Sequence, residues 1–243
     1  GMKPAQYKNN YIGYQADFEA KMKGLERYIL ETLDTAGYTH LNANKTAVNA
    51  ASGNPYTVTG NTMIVPATNN DVFLNELSAV LEANDYSAEG TSLISSPRFG
   101  ASIRALAAQG AGNDTNLAYQ MFMGYRFGFS NRVSISTTAY RDAVFAVPEG
   151  SLGFLSWVDA DSEAGHVSTD GKQWSKVYLP NVGIEVGMLY QSTCSDDSSN
   201  ATGLEATLTE SYSFSFDYSF VSAYNSATGT YAGSIFKAEL SKT

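Results

Sequence analysis

Residues 211–220 read Ser-Tyr-Ser-Phe-Ser-Phe-Asp-Tyr-Ser-Phe. Tyr212, Phe214, Phe216, Tyr218 and Phe220 alternate with Ser211, Ser213, Ser215, Asp217 and Ser219. Successive side chains of a strand point to opposite faces, so this period of two predicts one strand with an aromatic face and a small polar face. The stripe could stack sugars or bases. Its regularity favours a face packed on a core.

The strands have a helical counterpart at the other end of the chain. Phe18, Met22, Leu25, Ile29 and Leu33 recur at steps of four, three, four and four, which predicts a helix over Asp17–Thr35. Gly37 reads as its stop signal. The apolar stripe is narrow for five turns, so much of this helix is expected to be exposed in a lone chain. Residues 38–62 read as a loose connection, with Tyr56-Thr57-Val58 and Met63-Ile64-Val65 flanking a hairpin or turn at Thr59-Gly60-Asn61-Thr62. A second helix is expected over Asp71–Ala83, capped by Asn69 or Asn70, with Phe73, Leu77, Val80, Leu81 and Asn84 on one side. Then come a strand at 92–95 and, directly after it, a helix from Pro97 to Gln109 carrying Phe99, Ile103 and Leu106. Pro97 suits a first helical turn, and Ser95 or Ser96 can cap it. The glycines of 109–114 end that helix.

Past residue 117 the pattern turns to strands. Two are expected around Ser130-Asn131-Arg132, one before Pro148-Glu149-Gly150 with a strand or short turn of helix after it, and more in 173–180, 182–193, 204–225 and 234–240. Helices segregated from mainly antiparallel strands imply an α+β fold. The expected division is 1–40 for an N-terminal segment and long helix, 41–135 for an α+β region and 136–243 for a β-rich region.

Composition narrows the function. Only 16% of the 243 residues are charged, against about a quarter in ordinary soluble domains, and 16 residues are tyrosine, a side chain suited to interfaces. A net charge of −9 with 15 scattered basic residues argues against gripping nucleic acid, although an acidic wall would keep enclosed nucleic acid from sticking. A single cysteine, Cys194, rules out an intrachain disulfide framework and fits a reducing compartment. No apolar run approaches the ~18 residues of a membrane span. Gly1-Met2-Lys3-Pro4 lacks the apolar block of a secretion signal, and Gly1 reads as a cloning remnant before a natural Met2. A cytosolic protein is expected.

Reactive groups are few. Cys194 paired with His166 or His40 would need a lowered thiol pKa, and Asp196 and Asp197 beside it act the other way. No His-x-x-x-His or Cys-x-x-Cys spacing marks a zinc site. Asp159, Asp161, Glu163 and Asp170, or Asp196, Asp197 and Asn200, could offer calcium oxygen ligands, but the first group lacks a glutamate at the twelfth loop position. An acidic turn without metal is expected, with no catalytic, cofactor-binding or metal-binding residue and no cofactor.

The order of elements adds a resemblance. A long helix, a second helix, a strand entering Ser95-Ser96-Pro97 and its helix, the stretch Gly124–Arg132 and then Ala143–Phe154 resemble the major capsid protein of tailed phages, the HK97-like fold. The resemblance implies a long N-terminal spine helix, a peripheral helix and strand domain, and a β-rich axial domain. It also implies a non-enzymatic subunit that self-assembles into pentameric and hexameric capsomers, with portal or scaffold proteins as further partners. No sequence-specific nucleic acid and no membrane is implied. The location would be the virion capsid, assembled in the host cytoplasm. Family members carry an N-terminal arm and an extended loop before the spine helix, whereas about a dozen residues precede it here. A reading of another class is a β-rich ligand- or carbohydrate-binding module, motivated by the tyrosines and by the acidic loops 159–170 and 194–200. A hydrolase using Cys194 or paired carboxylates has the least support.

Overall fold

The computed structural model describes residues 11–46, 55–109, 121–122, 124–196, 206–222 and 234–242. Its first element is α1, Tyr11–Ala43, a helix of 33 residues and about 50 Å at 1.5 Å per residue. It outruns the expected Asp17–Thr35 at both ends. Gly37 does not stop it: a Cβ there would lie 3.4 Å from the Phe220 ring, so glycine serves close packing inside the helix. The loose connection expected from residue 38 therefore begins only past Ala43.

The strands β1 (Thr57–Thr59) and β2 (Thr62–Val65) form the expected hairpin. Gly60 and Asn61 both take positive φ, 54° and 58°, as a two-residue turn matching strand twist requires. The second helix, α2, spans Phe73–Glu82 and buries Phe73, Leu74, Leu77, Val80 and Leu81. Its N-cap is Val72, with no side-chain cap, which corrects the expectation of Asn69 or Asn70. Asn69 instead closes a short 3-10 turn, Ala67–Asn69, and its amide reaches the Glu76 carboxylate at 3.3 Å.

Strand β3 (Ser92–Ser95) runs straight into α3 (Pro97–Gln109), as the sequence predicts. Ser96 is the cap, its Oγ accepting from the Phe99 backbone N–H at 3.4 Å. The glycines after Gln109 and the side chain of Leu106 lie outside the described residues. Then follow β4 (Met121–Phe122), β5 (Tyr125–Phe129), β6 (Tyr140–Val147), β7 (Leu152–Trp157), α4 (Ala160–Ala164), β8 (Gln173–Leu179), β9 (Ile184–Asp196), β10 (Ala206–Ser215), β11 (Asp217–Ser222) and β12 (Phe236–Ser241). Two expectations fail here. No strand forms at 133–136, because the Ser136 N–H bonds a side chain, Glu239, and not a neighbouring strand. The alternating stretch is two strands, parted at Phe216: β10 pairs with β9 and β11 with β7. Alternation of side chains survives the break, which is why the sequence conceals it.

The fold is mixed α+β with several sheets. Seven strands form one sheet in the order β1-β2-β12-β6-β3-β5-β4, three another in the order β10-β9-β8, and β7 and β11 a third. The chain divides into two compact units, one of Gly1–Leu33 and Phe154–Ser219, the other of Asp34–Gly153 and Phe220–Thr243. We call them the helix–ribbon unit and the sheet unit.

In the sheet unit both faces of the seven-stranded sheet are covered. Val144 and Ala146 of β6, with Phe236, Ala238 and Leu240 of β12, join the cluster of α2 and α3 residues on one face. Ala143, Phe145 and Val147 join Leu41, Val133 and Ile235 on the other. The continuous burial of Ala143–Val147 is what a central strand with two covered faces requires.

In the helix–ribbon unit the two strongest sequence signals meet. Ile29 is buried with Leu179, Ile184 and Val186, and Met22, Leu25, Leu33, Phe214 and Phe216 pack around them. Phe18 meets Tyr212 edge to face at 5.3 Å. The helical stripe thus lies on the aromatic face of the strands, where the aromatic rings stay half-buried.

Candidate functional site

Cys194 lies on β9 opposite Leu208, and its side chain, with those of Asp196, Asp197 and Asn200, falls outside the described residues. His40 sits on α1 with Nε2 2.7 Å from Ser222 Oγ, and burial lowers its pKa. His166 packs beside Trp174, ring centroids 5.4 Å apart. The acidic turn is a helix cap: Asp159 Oδ2 accepts from the Ser162 N–H at 3.0 Å, and Gly165 at φ 69° closes α4. That bond, from backbone and side chain of Ser162, also holds the Asp159 carboxyl below its ordinary pKa. Asp161 and Glu163 lie in the first turn, where acids favour the helix dipole. Among the described residues no three His, Cys, Asp or Glu side chains gather as metal ligands do.

Three other arrangements stand out. The first is phenolic. Glu210 of β10 accepts hydrogen bonds from Tyr14 of α1 and, at 3.2 Å, from Tyr190 of β9. The bond to Glu210, then burial, raises the Tyr14 pKa far above the ordinary phenol value.

The second is an open depression of about 550 Å³ in the helix–ribbon unit, lined by Ser156, Trp157, Glu163, Tyr178, Ile184 and Glu185 among others. Trp157 and Tyr178 are about half exposed. Lys176 bridges the two carboxylates, 2.9 Å from Glu163 and 3.2 Å from Glu185, and these bonds raise its pKa.

The third is buried in the sheet unit. Lys237 and Glu239, alternate residues of β12, are only 3% and 1% exposed, and Lys237 Nζ lies 2.9 Å from Glu239 Oε1. Ser136 holds the carboxylate with both its donors, N–H to Oε1 at 2.9 Å and Oγ to Oε2 at 2.5 Å. Lys237 Nζ also donates to Asn42 Oδ1 at 3.3 Å, an oxygen that Lys45 Nζ reaches at 3.4 Å. The Phe145 ring closes one side, its centroid 5.6 Å from Lys237 Nζ. The Thr46 N–H bonds Ile235 O at 2.9 Å and so fixes the segment carrying Lys45 beside β12. Burial, and then the charge of Lys237, lower the Lys45 pKa, with Glu239 opposing them.

Sequence reasoning missed this cluster because Ser-Ile-Phe-Lys-Ala-Glu-Leu reads as a strand with one wet face. The available signal was the opposite charge at positions two apart on one face of a strand.

Comparison of the chain with protein-family models, curated proteins and solved structures finds no match.

Proposed function

We propose that this chain is a structural subunit that self-assembles, a phage-type major capsid protein of HK97-like architecture whose partners are copies of itself in capsomers, with portal or scaffold proteins at the shell. The reading places it in the virion capsid, assembled in the host cytoplasm. One observation carries it. Among the described residues, the large exposed apolar side chains fall mostly in the helix–ribbon unit: Ile12, Tyr28 and Leu30 on α1, and Phe154, Leu155, Trp157, Val167 and Tyr178 elsewhere in it. Among the described residues of that unit, the buried apolar side chains are Ile29, Leu179, Ile184 and Val186. A unit that displays more apolar bulk than it encloses is suited to completing its core against neighbours. Many modest contacts of this kind gain strength from number, as a shell requires.

Light scattering and negative-stain electron microscopy of the concentrated protein test it. Rings or shells are the expected result. Leu155→Ser with Trp157→Ser should lower assembly at least tenfold in concentration dependence. A chain that stays monomeric at every concentration and salt overturns the reading.

The depression supports a second reading, a ligand-binding module. Half-exposed Trp157 and Tyr178 offer faces for stacking, and Glu163 and Glu185 offer acceptors for hydroxyl groups. Saturable quenching of tryptophan fluorescence by an oligosaccharide, lost in Tyr178→Ala, would favour it over assembly.

A further inference from the structure

We propose that Lys237 and Asn42 join spontaneously in an intrachain isopeptide bond, with Glu239 moving the protons. The buried cluster of the sheet unit supplies each role. Lys237 is the nucleophile: its amine stands 3.3 Å from the Asn42 side-chain oxygen, walled from water by Phe145. The carbonyl carbon lies one C=O bond, about 1.2 Å, behind that oxygen. A modest turn about the Cα–Cβ bond of Asn42, which unlike the terminal torsion displaces Cγ, carries that carbon toward Nζ and the ~3–3.5 Å of a near-attack geometry. Glu239 is the acid and base, 2.9 Å from the same amine and held by both Ser136 donors. Lys45, 3.4 Å from Asn42 Oδ1, places positive charge where the oxyanion develops.

The reaction balances within this cluster. The Lys237 ammonium passes one proton to the Glu239 carboxylate, and the freed amine attacks Asn42 Cγ. The C=O electron pair moves to Oδ1 beside Lys45. Glu239 then donates its proton to Nδ2, the Cγ–Nδ2 bond breaks and ammonia departs. Glu239 takes up the second proton of Nζ, which the ammonia finally carries off as ammonium. One amide forms, one amide breaks, and no oxidant or second copy of the chain takes part.

The two charged residues are otherwise hard to account for. An ion pair this deeply buried forgoes the hydration of both groups and is often no more stable than an apolar pair of equal volume. Positioning a nucleophile beside its proton acceptor in a dry wall gives that arrangement a use.

Intact-mass spectrometry of the folded, then denatured, full chain tests the bond. The expected mass is that of the sequence less one ammonia, with a branched tryptic peptide joining Asn42 to Lys237. Glu239→Gln and Asn42→Ala should both restore the full sequence mass, and Asn42→Ala serves if the first variant fails to fold. Lys45→Met should slow bond formation during refolding by about 10²–10³-fold, the usual loss on removing one oxyanion partner. Full sequence mass in a wild-type chain that melts cooperatively after prolonged incubation overturns the proposal. So does an ammonia loss mapped to a linear peptide, which is a cyclised asparagine, or a branch from Lys45.

Discussion

The sheet unit and the helix–ribbon unit solve the burial problem in opposite ways. Around the seven-stranded sheet, apolar residues on both faces of β6 and on one face of β12 find partners, and the side chains of Val65, Val80, Leu81, Leu93, Tyr125, Phe145 and Leu240 are completely enclosed. In the helix–ribbon unit, α1 covers one face of the three-stranded sheet. On the other lies the single short turn of α4, whose Ser162 Oγ and Asp159 Oδ1 would stand 2.6 and 2.7 Å from a Cβ on Gly187. One unit encloses most of its large apolar side chains, and the other leaves several exposed, the difference on which the proposed assembly rests. Stability should therefore be concentrated in the first and association in the second.

Mutations can break that division. Phe73→Ala, in the sheet unit and 1% exposed, should cost about 3–5 kcal/mol in chemical denaturation, the range for emptying an enclosed aromatic site. If the loss is under 1 kcal/mol, the sheet unit is not the stable one. Gly100→Ala should cost about 1–3 kcal/mol, because the new methyl would meet the Phe129 ring at 2.6 Å.

Alkaline pH probes the same core. Burial first, with Glu76 and Glu82 respectively adding, holds the phenol protons of Tyr56 and Tyr125 well above their ordinary pKa of 10.0. The unfolded chain gives up those protons near pH 10 while the folded chain keeps them. Stability is thus whole below pH 10 and falls above it, by about 1.4 kcal/mol per pH unit for each phenol. Melting temperatures from pH 8 to 11.5 should decline less steeply in Tyr56→Phe than in wild type.

The smallest effects belong to the helix–ribbon unit. Gly24→Ala, where a Cβ meets nothing within 4 Å, should stabilise by about 0.5–1 kcal/mol through helix propensity alone. Leu155→Ser with Trp157→Ser should move unfolding by no more than ~0.5 kcal/mol per site, since both are about half exposed. A large loss there would mean that those side chains support the monomer.

What the sequence disclosed follows the same line. Periodicity reports which side chains share a face, so the α1 stripe, the α2 face and the alternation of 212–220 were all legible. Periodicity cannot report what covers the other face. Lys237 and Glu239 have the spacing of a wet face yet are enclosed, because residues distant in sequence, Asn42, Lys45 and Ser136, close over them. Glycine was read as a stop at residue 37 because its packing partner, Phe220, lies 183 positions away by the numbering. Local chemistry did narrow the cap to Ser95 or Ser96 and place a turn at Gly60-Asn61, since both depend only on neighbours along the chain.

The place of β12 carries a consequence for synthesis. It lies between β2, to which it runs parallel, and β6, to which it runs antiparallel, yet it is translated after both. While the ribosome is still extending the chain, β2 and β6 each present an unpaired edge where the native neighbour has yet to arrive. That interval exposes the nascent sheet to pairing with other chains, and it closes only when Phe236–Ser241 leaves the exit tunnel.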